Sequence, residues 1–190
     1  HNYTAAYEAI KRIPSPDNDV LLALQKISYF NGLEAYREGE LAKAQSALRE
    51  SLEVGLNAKY NALAAFWLGE IAYSEGNIDE ALRHYRSYMA RAPRTGREYA
   101  MAQYNVGYCY FNESNYSQAG RAYDDFLDIY SLRDSYHADA LNRRGDIHYA
   151  QREFDKAISR YNDAIAMATP ERYYAEYQRA ITLGVSGNVQ

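Results

Sequence analysis

The helical periodicity of this 190-residue chain breaks at nearly constant intervals, and that spacing limits what it can fold into. The breaks fall at Arg37-Glu38-Gly39-Glu40, Ser74-Glu75-Gly76-Asn77, Glu113-Ser114-Asn115-Tyr116, Gln151-Arg152-Glu153-Phe154 and Ser186-Gly187-Asn188, 35 to 38 residues apart. A unit that short cannot bury its apolar face alone, so successive units must stack and share a core. With only 4 prolines and 11 glycines, nearly all at the breaks, no strand pattern competes. The expected class is all-α, a solenoid of antiparallel helix pairs.

Aligning the units on their turns places a small residue seven positions upstream of each: Gly32, Gly69, Gly107, Gly145 and Ala180. Five positions after each complete turn comes Ala44, Ala81, Ala119 or Ala157, and four residues later Leu48, Tyr85, Tyr123 or Tyr161. The small residue admits a facing helix and the large one fills the space beside it, which is ridge-into-groove packing. Capping pairs are expected at Thr95 with Glu98, Asn77 with Glu80 and Asn115 with Gln118, and Thr169-Pro170-Glu171 reads as a cap with proline in the first turn. Helices are predicted over 19–38, 40–55, 58–75, 78–91, 96–113, 116–130, 135–151, 154–168 and 171–186.

Composition narrows the function. Hydrophobic residues make up 47% and charged residues 24% of the chain, ordinary for a folded protein. A formal charge of -4 with no dense Lys/Arg run excludes the electrostatic footprint of a nucleic-acid binder. No stretch approaches the ~20 apolar residues of a membrane helix. Twenty-one tyrosines against five Phe and one Trp put most of the aromatic area on rings that carry a hydroxyl, which suits half-buried surfaces.

Catalytic and metal patterns are weak. Cys109 is the single cysteine, and it lies within a helical segment. His84 follows Glu80 by four residues and reads as a helix-surface pair. His137 and His148 lie near Asp134, Asp139 and Asp146, but only Asp134 to His137 has one-turn spacing, so no metal is expected. Asp124, Asp125 and Asp128 read as a solvated acidic face, with no calcium-loop pattern. No nucleophile elbow or phosphate-binding glycine loop is present. The chain is therefore expected to be no enzyme and to need no cofactor.

Across essentially its whole length the chain resembles the tetratricopeptide repeat family, which implies a right-handed superhelical solenoid. The third unit carries the likeness best, in Tyr104-Asn105-Val106-Gly107-Tyr108-Cys109-Tyr110-Phe111, then Asn115-Tyr116, Ala119, Tyr123 and Phe126. The second adds Trp67-Leu68-Gly69, Asn77, Ala81, Tyr85 and Pro93. One solenoid is expected over 1–190, with the second helix of an incomplete repeat in 1–14, four repeats in 19–56, 58–94, 95–132 and 134–169, and the first helix of a further repeat in 170–190. Both end helices lack a partner, and the last keeps Tyr173, Tyr177, Ile181 and Leu183, so an excerpt of a longer array is expected. Successive anchors are 37, 38, 38 and 35 residues apart against the ~34 of the family. The extra residues fall between units, which predicts longer helices and an altered pitch. Such extended units are similar to those of bacterial cell-envelope members, which implies a periplasmic or envelope-associated setting.

In the family the first helices line a concave groove that holds proteins or peptides. The resemblance implies that Tyr29, Leu33, Tyr36, Phe66, Glu70, Tyr73, Tyr104, Tyr108, Phe111, Asn142, Asp146, Tyr149, Tyr174 and Tyr177 line it here. Tyrosine is enriched at binding surfaces, yet the same positions also serve packing between units, so both roles stay open. The basic groove with which some relatives clamp a carboxyl terminus has no counterpart at these positions. The leading expectation is a protein-binding scaffold. The alternatives are a small-molecule or glycan-binding module, with Glu70, Asn142 and Asp146 as hydrogen-bonding groups, and a spacer or oligomerisation segment. The oligomeric state is left open.

Overall fold

The computed structural model describes residues 3–187, which form ten helices and no strand. Residues 1 and 2 of the expected leading helix, and residues 188–190, including Asn188 of the last break, lie outside the described residues. The chain divides into two compact units, the first ending at Arg94 and the second beginning at Thr95. The first holds α1 (Tyr3–Lys11), α2 (Asn18–Arg37), α3 (Leu41–Val54), α4 (Ala58–Ser74) and α5 (Ile78–Met89). The second holds α6 (Arg97–Asn112), α7 (Tyr116–Ile129), α8 (Ser135–Ala150), α9 (Phe154–Ala166) and α10 (Arg172–Gly187). All nine helices predicted from periodicity are present, with ends displaced by no more than two residues.

The small anchors act as notches. A Cβ added at Gly32 would lie 2.6 Å from Leu48 Cγ, one at Gly69 2.8 Å from Tyr85 Cε1, and one at Gly107 2.7 Å from Tyr123 Cε1; at Gly145 it would run into the Tyr161 ring. Leu48, Tyr85, Tyr123 and Tyr161 are each fully buried, as are Ala44, Ala81, Ala119 and Ala157 one turn before them. In each of α2/α3, α4/α5, α6/α7 and α8/α9, the second helix thus lays a large side chain across the backbone of the first. The shared cores grow outward from these contacts. In the first unit Leu48 clusters with Tyr29, Leu68 and Ile71, and in the second Tyr123 clusters with Phe126, Tyr130 and Ile147.

The turns inside the pairs share one geometry. Gly39, Gly76, Ser114 and Arg152 all adopt the left-handed conformation, with φ of 78°, 77°, 58° and 61°. In each, the following residue donates its N–H back into the first helix, as from Glu40 to Ala35 and from Glu153 to His148. Two of the four positions carry an L side chain at a conformation that costs it roughly 1–2 kcal/mol. The last-turn hydrogen bonds and the packed pair hold it there.

Caps follow a division that the sequence reading missed. Of the first helices α2, α4, α6 and α8, three have N-caps that use side chains: Asp17 accepts from Val20 N, Asn57 from Lys59 N and Tyr60 N, and Asp134 from Tyr136 N and His137 N. Second helices start from the tight turn, and of Glu40, Asn77, Asn115 and Glu153 only Asn115 accepts a side-chain cap bond, from Gln118 N at 3.4 Å. The box expected at Thr95 is corrected: α6 is capped by Gly96 at φ 97°, with no side-chain bond. Asp134 also accepts a 2.7 Å bond from the Tyr130 hydroxyl. Asp134→Ala should therefore cost about 1–2 kcal/mol in urea unfolding, whereas Asn77→Ala should cost a few tenths.

Candidate functional site

In the second unit one face of α6, α8 and α10 gathers a cluster of aromatic rings and charges. Asp139 of α8 accepts hydrogen bonds from Tyr104 Oη (2.8 Å) and Tyr108 Oη of α6. Arg143, one turn later, pairs with Asp139 (Nε to Oδ1, 3.5 Å) and with Asp146 (Nη1 to Oδ2, 2.8 Å). Asp146 in turn accepts from Tyr161 Oη (2.8 Å) and Tyr174 Oη (2.9 Å). The Arg143 guanidinium also lies 4.7 Å from the Tyr174 ring centre and 5.7 Å from that of Phe111, within cation–π reach. The side chains of Asp139, Arg143 and Asp146 are 19%, 17% and 12% exposed. Together they form a charged line that is walled by rings and open along one side.

Local sequence explains the arrangement. Asp139, Arg143 and Asp146 stand at i, i+4 and i+7 of one helix, which places them on one face. Asp146 follows the notch residue Gly145, and Tyr161 crosses that notch from α9, so its hydroxyl emerges beside Asp146. The first unit repeats the device: Tyr85 crosses Gly69 and donates to Glu70 Oε1 at 2.8 Å.

Burial sets the ionisation of the site. It disfavours phenolate at Tyr104, Tyr108 and Tyr161, and the adjacent aspartates raise these phenols further, above the ordinary tyrosine range. Tyr174 is pushed up to about 12, first by burial and then by Asp146. Tyr130 also reaches about 12, by burial and its bond to Asp134. Burial raises Asp146 too, against the pull of Arg143 and the two tyrosine hydroxyls. A phenol whose pKa is raised on folding contributes stability that is present below ~10 and lost as pH rises through the folded value. Alkaline titration should therefore leave a late, cooperative step in phenolate absorbance that coincides with loss of helical circular dichroism, because these buried tyrosines ionise when the second unit opens. Complete phenolate absorbance with helicity intact would contradict the site's geometry.

The residues expected to line a groove do not all meet. Tyr104, Tyr108, Phe111, Asp146 and Tyr174 meet in the cluster. Tyr29 and Phe66 are 6% and 5% exposed and belong to the core, Tyr29 against Phe30 and Tyr60, Phe66 against Tyr85 and Tyr88. Asn142 is 1% exposed and donates to the Glu171 carbonyl, tying α8 to the start of α10. Tyr36 rests against Trp67 at 5.0 Å, Tyr149 packs on Phe154, and Leu33 is partly buried against the first unit's core. Glu70 holds the Tyr85 hydroxyl, and Tyr73 is half-buried on the same helix. Tyr177 is 65% exposed on α10, away from the cluster. Arg143 and Tyr161 are members that the sequence reading did not assign to the groove, and Asp139 it weighed only as a metal ligand. The Asp-x-x-x-Arg-x-x-Asp spacing was the available signal.

Other features stand apart. His84 pairs with Glu80 at 3.4 Å, as its spacing predicts, and Cys109 is buried. Among the described residues no group of three or more His, Cys, Asp or Glu is placed to hold a metal ion, and no helix is long and apolar enough to cross a membrane. A cleft of about 860 Å³ opens between α1, α2 and α3, bordered by Glu8, Glu34, Glu38 and Glu53. None of the expected groove residues lines it.

Comparison with known proteins agrees with the architecture. Tetratricopeptide repeat models match residues 31–95 and 98–169. No curated protein matches the chain by sequence. Among solved structures, MamA superposes with a TM-score of 0.73 at 20% identity, over 86% of this chain and 83% of MamA. BtubC from P. vanneervenii gives 0.70 at 16% identity, over 98% and 82%. YrrB, described as a TPR protein with an unusual peptide-binding site, gives 0.66 at 16% identity, over 94% and 88%. At these identities the likeness is one of fold. Notched helix pairs, a turn geometry repeated four times and family models that between them span residues 31–169 with a gap of two residues lead to one assignment: the chain belongs to the tetratricopeptide repeat family.

Proposed function

We propose that the chain is a protein-interaction scaffold that holds an extended segment of another protein along the aromatic face of its first helices, centred on Arg143. The observation that carries this reading is the convergence of Tyr104, Tyr108, Phe111, Arg143, Asp146 and Tyr174 from three first helices onto one surface. Rings braced by carboxylates offer large contact area at little entropic cost. The fixed Asp–Arg–Asp line presents both charges to peptide amides and side chains. In the first unit Tyr36, Glu70 and Tyr73 offer a sparser version. The likeness to YrrB, whose description includes a peptide-binding site, supports the same reading. No catalytic role is proposed.

One counter-reading draws on the same geometry. Asp139 and Asp146 each already accept two tyrosine hydroxyls and pair with Arg143, which suits side chains that only brace the stack of a spacer. Peptide display against the chain, followed by NMR titration with the enriched peptide, separates the two. The scaffold reading expects shifts at Tyr108, Phe111, Arg143 and Tyr174, and about tenfold weaker binding, ~1.4 kcal/mol, for Phe111→Ala with the fold intact. No enriched peptide, or shifts confined to other surfaces, would favour the spacer. Substituting Glu at Tyr104 or Tyr108 is a poor probe, because it places a second carboxylate beside Asp139.

A further inference from the structure

We infer that the segment held on the aromatic face carries a basic residue, whose cation seats on Asp139 among the rings of Tyr104, Tyr108 and Tyr136. This rests on the scaffold reading and adds the partner's chemistry to it. The face holds two carboxylates and one guanidinium, and the guanidinium is not shared evenly. Arg143 Nη1 lies 2.8 Å from Asp146 Oδ2, whereas Nε lies 3.5 Å from Asp139 Oδ1 and makes no hydrogen bond. Tyr174, with its ring 4.7 Å from the guanidinium and its hydroxyl donating to Asp146, holds Arg143 in that position. Arg143 therefore answers Asp146, and Asp139 keeps the surplus negative charge. Among the described residues no other Lys, Arg or His pairs with Asp139.

The hydrogen bonds give the same direction. The hydroxyls of Tyr104 and Tyr108 both donate to Asp139 Oδ2, which leaves Oδ1 with the long approach from Arg143. With their protons committed to the carboxylate, these phenol oxygens turn lone pairs outward, so this part of the face accepts hydrogen bonds and donates few. Tyr136 stands one turn before Asp139 on α8, is exposed, and meets Tyr104 edge-on at 5.4 Å; Tyr104 in turn meets Tyr108 at 5.1 Å. Three rings thus surround a carboxylate whose charge is not matched, an arrangement that attracts a cation through the ring faces and through Asp139 itself. Desolvation selects against other side chains. A segment laid over Asp139 strips its remaining water, which costs free energy unless the segment brings a compensating cation. A neutral residue leaves that cost unmet, and an acidic one adds repulsion.

The test selects a randomised, phage-displayed peptide library against the 190-residue chain. Enriched sequences should share a lysine or arginine at one position, and a synthetic peptide with norleucine there should bind about tenfold more weakly. A formal charge of -4 draws basic peptides to the chain as a whole, so the place of contact is read separately. In the parent chain, nuclear Overhauser contacts should join the methylenes of the basic residue to ring protons of Tyr108 and Tyr136. In Asp139→Asn, folded by circular dichroism, most of the norleucine penalty should vanish. Neutral or acidic peptides that shift Tyr108, Phe111, Arg143 and Tyr174 would overturn this inference and leave the scaffold reading standing. So would a basic peptide at that face without the ring contacts, or a norleucine penalty unchanged in Asp139→Asn. Failure to enrich any peptide at that face would end both.

Discussion

Gly145→Ala should destabilise the second unit by about 1 kcal/mol, whereas the same change at Gly184, within the last helix, should stabilise it by up to ~1 kcal/mol. Both glycines are helical, and both substitutions gain the ~1 kcal/mol by which alanine exceeds glycine in a helix interior. The difference lies in what the methyl meets. At Gly184 it meets nothing within 4 Å, while at Gly145 it meets the ring of fully buried Tyr161. That ring cannot retreat without giving up the bond from its hydroxyl to Asp146. Overpacking of this kind costs about 1–3 kcal/mol, which outweighs the gain in propensity. Urea midpoints for the two variants, with unchanged m-values, would read the sign directly. Equal stabilisation at both positions would mean that the notch is not tight.

Arg143→Ala should be the most damaging single change at the aromatic face, at about 3 kcal/mol. It removes the one cation between two carboxylates that are each less than a fifth exposed, and breaking a buried pair from one side costs about 3–5 kcal/mol. Residual exposure places this case at the lower end. The loss should depend on pH. Asp146 is already raised by burial, and Arg143 is the strongest influence lowering it, so the variant raises it further. A carboxyl raised on folding contributes stability that is present below its unfolded value of ~3.9 and lost as pH rises through the folded value. The difference between Arg143→Ala and the parent chain should therefore be largest near neutrality and shrink toward pH ~4. Arg143→Lys should fall between them, because a point charge cannot span both aspartates as a planar fork does. A pH-independent difference would show that the lost contacts are packing rather than charge.

Much of the fold was legible because the helical repeat is written locally. The 16-residue step from Gly69 to Tyr85 or from Gly145 to Tyr161 is one turn plus two half-helices, a distance that short-range geometry sets. Caps were legible only in part. Asn115 was read correctly, while Thr95 lost to Gly96, because a loop's path decides which residue stands at the helix entrance. Of the groove residues, Tyr104 and Tyr108 were legible as one helix face. Their bonds to Asp139, thirty-one or more residues away, were not.

The sequence alone determined that this chain forms notched helix pairs of the tetratricopeptide kind, since the positions of glycine, alanine and tyrosine are properties of single helices and of neighbours joined by a short turn. Tertiary structure decided which tyrosines are core and which face outward. Phe66 and Tyr177 occupy related positions in their units, yet one is 5% and the other 65% exposed, because α5 covers the first and no described helix covers the second. It also decided that Arg143 stands at the centre of the site. Periodicity places a residue on a face but does not say which charges from other helices arrive there, and those partners fix its ionisation and orientation.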